Sequence, residues 1–218
     1  MNNVKIEKRN VILGSKSQEG ILRLPDDALG LVVFAHGAGS SRLSPRNNYV
    51  ADRLAERNIA TLLFDLLTEA EAADREKVFD IPLLSGRLLE AIEWVRDQPE
   101  LSQLKMGLFG ASTGAAAALV AASWQKELIV TVVSRGGRPD LAGAELSKVT
   151  APTFLIVGGA DYQVIKLNED AAHQFTCDHK MTLVPHATHL FEEPGTLDSV
   201  VDLAADWFVR SFAKSTAE

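Results

Sequence analysis

The sequence predicts a three-layer α/β fold: a mostly parallel sheet with antiparallel strands at its N-terminal edge and helices on both faces. Three observations carry the prediction. Short apolar runs alternate with helical segments after an antiparallel start, the pattern of parallel strands joined by helical crossovers. The runs at 31–35, 60–67, 128–133 and 153–157 are dominated by apolar side chains, as strands buried on both faces require. The chain has 218 residues, 46% of them hydrophobic and 23% charged, enough to bury one substantial core. With no repeat, linker or low-complexity tail, a single domain over residues 1–218 is expected.

In order along the chain, 4–8, 11–13 and 21–24 read as short strands of an antiparallel meander, punctuated by Gly14 and Gly20. The buried strand at 31–35 runs into His36-Gly37-Ala38-Gly39-Ser40-Ser41, a loop of small residues. Ser44-Pro45 opens a helix with an N-cap and a proline at the first helical position. A strand at 60–67 follows. Residues 68–77 are acidic and without clear period, so a loop or frayed helix is expected there. Pro82 opens a helix whose stripe is Leu84, Leu88, Ile92 and Val95. After the strand at 104–109 comes the small-residue helix from 115. The strand at 128–133 ends in Ser134-Arg135-Gly136-Gly137-Arg138, and Pro139 starts a short helix. The strand at 153–157 leads to Gly158-Gly159-Ala160-Asp161 and a helix over about 165–175. A last strand at 180–184, the loop Pro185-His186-Ala187-Thr188-His189 and an amphipathic helix over 196–212 complete the chain.

Composition narrows the function. A formal net charge of -7 disfavours nucleic acid and gives no attraction to anionic membranes. Cys177 is the lone cysteine, so no internal disulfide forms and a reducing setting is expected. The first ten residues hold no apolar signal core, and no apolar run is long enough to span a bilayer. Together these predict a cytoplasmic protein acting on a small molecule, with no membrane or nucleic-acid partner. The histidines lack metal-ligand spacing, so no metal or other cofactor is expected.

The chemistry centres on Gly110-Ala111-Ser112-Thr113-Gly114, a G-x-S-x-G pentapeptide between an apolar strand and a small-residue helix. Such a turn holds its serine in strained geometry above the sheet, and glycines flank it because strand and helix pass closely there. The plainer reading is a glycine-rich βα turn that merely packs well. Serine is a weak nucleophile at neutral pH and needs a base, and the base needs an orienting group. Asp161 and His189 follow in the order Ser…Asp…His, each just after a predicted strand, on the edge where open α/β sheets bind ligands. His186 shares the loop of His189 and is the alternative base, while Asp161 also suits ordinary turn chemistry. His36 is expected to brace its loop; His173 and His179 look like surface residues.

The chain resembles α/β-hydrolases of the dienelactone-hydrolase-like branch. The segments that carry the resemblance are His36 to Arg42, Phe64-Asp65-Leu66-Leu67-Thr68, Ser134-Arg135-Gly136-Gly137-Arg138-Pro139-Asp140 and Ala187-Thr188-His189-Leu190-Phe191-Glu192-Glu193-Pro194. The resemblance implies the three-layer α/β-hydrolase fold without a large lid domain, with Ser112 as nucleophile, His189 as base and Asp161 as the orienting acid. Dienelactone hydrolases themselves use a cysteine nucleophile. The serine here shifts the expectation toward a general serine esterase working through an acyl-enzyme. A thioesterase, peptidase or acyltransferase with the same triad is the alternative, as is a non-catalytic binding module. The oxyanion hole is expected from the N–H of Thr113 and one N–H of the preceding loop, Ala38 first and Gly37 second. Arg42, Arg135 and Arg138, with Arg46, lie near the strand ends and could take a carboxylate or phosphate on the substrate; alternatively they pair with surface acids.

Overall fold

The computed structural model describes residues 4–214, so the ends of the expected 1–218 domain lie outside the described residues. Eight strands form one sheet in the order β1-β2-β4-β3-β5-β6-β7-β8. These are β1 (Ile6–Leu13), β2 (Gln18–Pro25), β3 (Gly30–Ala35), β4 (Ile59–Phe64), β5 (Met106–Ala111), β6 (Ile129–Arg135), β7 (Thr153–Gly158) and β8 (His179–Val184). β1 and β2 pair antiparallel, as do β2 and β4; every other pairing is parallel. The two short strands expected at 4–8 and 11–13 are one strand. Nothing between Lys8 and Val11 breaks extended backbone, and each residue from Ile6 to Leu13 has a partner on β2.

β4 ends at Phe64, three residues before the expected strand end. The Asp65 carboxylate accepts the N–H of Arg42 at 2.7 Å, and the Leu66 N–H is donated to a side chain, His36, rather than to a neighbouring strand. The 68–80 segment contains two one-turn helices. In α2 (Glu69–Ala72), Thr68 and Glu71 form a reciprocal capping box; α3 (Arg75–Val78) is capped by Asp74. Arg87 ties α2 down by donating to Glu71 at 3.1 Å. Arg87 lies on α4 (Ile81–Arg96), which Asp80 caps.

The remaining helices are α1 (Pro45–Ala55), α5 (Thr113–Trp124), α6 (Tyr162–Ala172) and α7 (Thr196–Lys214), with a 3-10 segment at Pro139–Lys148. α6 begins three residues before its expected start because Asp161 caps it, accepting from the Val164 N–H at 3.4 Å. One apolar layer joins Leu84, Leu88 and Ile92 of α4 and the alanines of α5 to Leu31, Val33, Leu62 and Leu108. The other joins Val50 and Leu54 of α1 and Val200, Ala204 and Phe208 of α7 to Val32, Phe34, Phe109 and Val133. Alternate residues of each central strand thus face opposite layers, which is why those strands read as continuous apolar runs. No lid domain interrupts the described residues, and none of their helices is long and apolar enough to cross a membrane.

Candidate active site

Ser112 sits between β5 and α5 with φ 51° and ψ -123°, a conformation that costs a residue with a Cβ about 1–3 kcal/mol. The strain is held by close packing on either side. A Cβ on Gly114 would lie 2.1 Å from the Ala35 carbonyl oxygen, and one on Gly110 would lie 2.4 Å from the Cα of Ala115. The Ser112 N–H donates to the Arg135 carbonyl at 3.4 Å, and its own carbonyl accepts from the Arg138 N–H at 3.0 Å. The turn after β6 therefore grips the serine backbone from both sides. The serine is partly exposed, and among the described residues its hydroxyl is held by no hydrogen bond.

Asp161 and His189, 28 residues apart, meet at 2.8 Å through Oδ2 and Nδ1. A carboxylate only accepts, so the proton lies on Nδ1, and in the neutral ring Nε2 is left as the acceptor. The loops carrying the pair are joined by the Ala160 N–H, which donates to the Ala187 carbonyl at 2.9 Å. Glu193 accepts from both the N–H and the hydroxyl of Thr188, which fixes the turn just before His189. The histidine lies against the turn that grips Ser112: a Cβ on Gly136 would come within 3.7 Å of His189 Nδ1. His186 has φ 63° and is exposed, so of the two histidines in this loop it is His189 that reaches Asp161.

The loop after β3 faces the same turn. The Ala38 N–H donates to Thr113 Oγ1 at 3.1 Å, while the Thr113 N–H belongs to the open first turn of α5. His36 braces this loop. Its Nε2 accepts the Leu66 N–H at 3.0 Å, and its Nδ1–H donates to the Gly37 carbonyl at 3.1 Å. Burial pushes the His36 pKa below the usual value, with the Gly37 bond opposing. In the unfolded chain the imidazole titrates near pH 6.5, so between that pH and the lower folded value the unfolded state binds more protons. Stability is expected to fall as pH drops below about 6.5, by at most about 1.4 kcal/mol per pH unit from this group. Melting temperatures measured from pH 8 to 5.5 should show the decline in the parent chain and a flatter profile in His36→Asn.

The arginines separate into two kinds. Arg42 bonds the carboxylates of Asp65 and Glu19, and Arg138 forms a two-pronged pair with Asp140 at 2.9 and 2.8 Å. Both charges are thereby matched by acids. Arg135 is buried, bonds the Asn47 Oδ1 at 3.2 Å and lies over the Phe191 ring. A cavity of about 480 Å³ opens beside Gly37, Ala38 and Thr113; Leu67, Ala72, Val78 and Leu84 line its apolar side, and Asp65 and Glu69 its rim. The 68–80 helices thus overhang the site. Among the described residues no cluster of three His, Cys, Asp or Glu side chains is arranged to hold a metal.

Sequence reasoning did not identify Asn47, Glu193 or the Thr113 hydroxyl as parts of this site. Glu193 lay within a segment already notable for its pattern, but its partner Thr188 is set by the loop's path. Asn47 meets Arg135 across 88 residues, a pairing without a sequence signal.

A three-layer fold with a strained serine and an aspartate-bonded histidine on one sheet edge defines a class. Residues 28–212 match the family described as alpha/beta hydrolase domain, and the chain belongs to that family. Within it, the chain is dienelactone-hydrolase-like. A solved dienelactone hydrolase from Anabaena variabilis ATCC 29413 is 49% identical, with a TM-score of 0.89, over 96% of this chain and 99% of that one. Est1E from Butyrivibrio proteoclasticus shares the fold at a TM-score of 0.78 and 13% identity, covering 94% of this chain and 99% of that one. A Mycobacterium tuberculosis (strain ATCC 25618 / H37Rv) protein that carries the provisional name phosphoribosyl transferase is 53% identical over 203 residues. That match takes in 93% of this chain but 46% of the relative, so the chain spans less than half the length of the curated relative.

Proposed function

We propose that the chain is a serine hydrolase that cleaves an ester of a small molecule through an acyl-enzyme. The observation that carries this reading is the 2.8 Å Asp161–His189 bond, set beside the turn that holds Ser112 in strained geometry. Ser112 Oγ attacks the carbonyl carbon and gives its proton to His189 Nε2, while Asp161 stabilises the imidazolium. The oxyanion takes the N–H groups of Thr113 and Ala38, with Gly37 as the further donor. The Ala38 N–H leaves the Thr113 hydroxyl to do so, exchanging one acceptor for a charged one. The tetrahedral intermediate collapses, the alcohol leaves with the proton from His189, and water repeats the sequence to free the acid. These steps use protein groups and water alone.

The cavity beside Ala38 and Thr113 takes the acyl group. Its apolar wall and its acidic rim favour an uncharged acyl group, and Arg42 is already paired with Asp65 and Glu19. The name of the mycobacterial relative belongs to a protein more than half of which lies outside the match, and phosphoribosyl transfer is not the activity proposed here. The lone Cys177 supports action in a reducing compartment such as the cytoplasm.

A fluorophosphonate probe should label Ser112 in the parent chain, as mass spectrometry of the tryptic peptide would record. Labelling should vanish in His189→Ala and persist in His186→Ala. Undiminished labelling of His189→Ala would overturn the base assignment, and no labelling of the parent chain would favour a non-catalytic binding module.

A further inference from the structure

Arg135 is a buried cation with no counter-charge among the described residues. It is 7% exposed, and its Nη2 is spent on the neutral Asn47. Its Nε is buried without a partner. No carboxylate among the described residues forms an ion pair with it. Burial, reinforced by the like charge of Arg46, pushes its pKa down to about 10. The group is still a cation at neutral pH. Buried charges are ordinarily paired, and a guanidinium is built to meet two oxygens of one planar or tetrahedral anion.

Its position ties this unmatched charge to the active site. Arg135 closes β6, its carbonyl accepts from the Ser112 N–H, and it precedes Gly136, beside which the His189 ring rests. Asn47 and Arg46 belong to the first turn of α1, which carries no acidic residue and adds the positive end of the helix. Arg46 is partly exposed and paired with the exposed Glu192 at 3.0 Å, a weak surface pair that a better-placed anion could displace. Phe191, whose ring covers Arg135, has φ 55° and follows His189 by two residues. The acyl cavity packs on the α4 side of the sheet through Leu84, whereas Phe191 and α1 belong to the α7 side.

We propose that Arg135 and Arg46, at the first turn of α1, form a subsite for an oxyanion on the part of the substrate that does not enter the acyl cavity. The anion is a carboxylate or a phosphate on the alcohol portion of the ester, and the subsite orients that portion for departure. This rests on the serine-hydrolase reading for its use but not for its existence, so the two are tested separately.

Binding is measured with the Ser112→Ala chain, which cannot turn over, by titrating succinate and inorganic phosphate in separate arms. Saturable binding of either anion is expected, weakened about tenfold or more by Arg46→Ala, as the loss of one charge-assisted contact implies. The arm that binds identifies the anion. Catalysis is measured with butyrate esters of 4-hydroxybenzoate, of 4-hydroxyphenyl phosphate and of the neutral methyl 4-hydroxybenzoate. Arg46→Ala should raise KM for an anionic ester about tenfold more than for the neutral one. Arg135→Gln should do the same, and Arg46→Ala, altered at the surface, tests the subsite even if the buried substitution does not fold. Equal effects on charged and neutral esters, or failure of both anions to bind Ser112→Ala, would overturn the subsite. If no ester is cleaved yet an anion binds through Arg46, the hydrolase reading fails and the subsite stands.

Discussion

Ser112→Ala is expected to lower kcat for a neutral ester by about 10⁶-fold, and Asp161→Asn by about 10⁴-fold, with little change in KM. The two losses have different physical origins. The first removes the atom that forms the acyl bond. The second keeps the shape but turns an acceptor-only carboxylate into an amide whose NH₂ can face Nδ1. The imidazole then favours the tautomer with its proton on Nε2, which cannot accept from serine. Stopped-assay kinetics on purified variants measure both. A kcat for Asp161→Asn within tenfold of the parent would mean that Asp161 serves only to cap α6 through Val164 and to shape the loop through its 2.8 Å bond to His189.

Gly114→Ala is expected to cost about 3 kcal/mol of stability, a fall in Tm of roughly 6–12 °C for a chain of this length. The added methyl would lie 2.1 Å from the Ala35 carbonyl oxygen and 2.5 Å from that of His36. Both are backbone atoms, one at the end of β3 and one at the start of the loop that follows it, and cannot rotate aside, so α5 must lift from the sheet. Gly86→Ala is the matched contrast. Gly86 lies within α4, and beyond its chain neighbours and the helix's own backbone no atom lies within 4 Å of its added Cβ, so the change should stabilise by up to about 1 kcal/mol through helix propensity. Thermal denaturation followed by circular dichroism would separate the two, and equal effects would refute the close-packing argument for the elbow.

Much of this fold was legible because its causes are local. β3, β5 and β7 are buried on both faces, so nearly all their side chains are apolar, whereas β6 is apolar along most of its length and ends in the polar Ser134 and Arg135. Ser44-Pro45 and Pro82 mark helix starts through capping and a fixed φ. The elbow declared itself because a strained turn between a strand and a close-packed helix tolerates few side chains. Chain order and strand ends point to Asp161 and His189, and the structure places them in hydrogen-bond contact. The rest depended on partners far along the chain. Residues 69–78 form helical turns whose fixing contact, Glu71 with Arg87, spans 16 residues. The early end of β4 follows from His36 taking the Leu66 N–H across 30 residues.

The arginines mark the boundary most sharply. By sequence alone Arg42, Arg135 and Arg138 were equivalent, each a cation just beyond a strand. The sequence by itself determined the layered α/β architecture, the edge on which the chemistry-bearing residues gather, and the identity of the serine, acid and histidine as candidates. Those features follow from periodicity, capping and chain order, which act over a few residues. Only the tertiary structure decided that Arg42 and Arg138 are matched by acids while Arg135 is buried without one. A guanidinium's charge balance depends on which carboxylates lie within a few ångströms, and that is set by loop paths and helix packing rather than by neighbours in the chain.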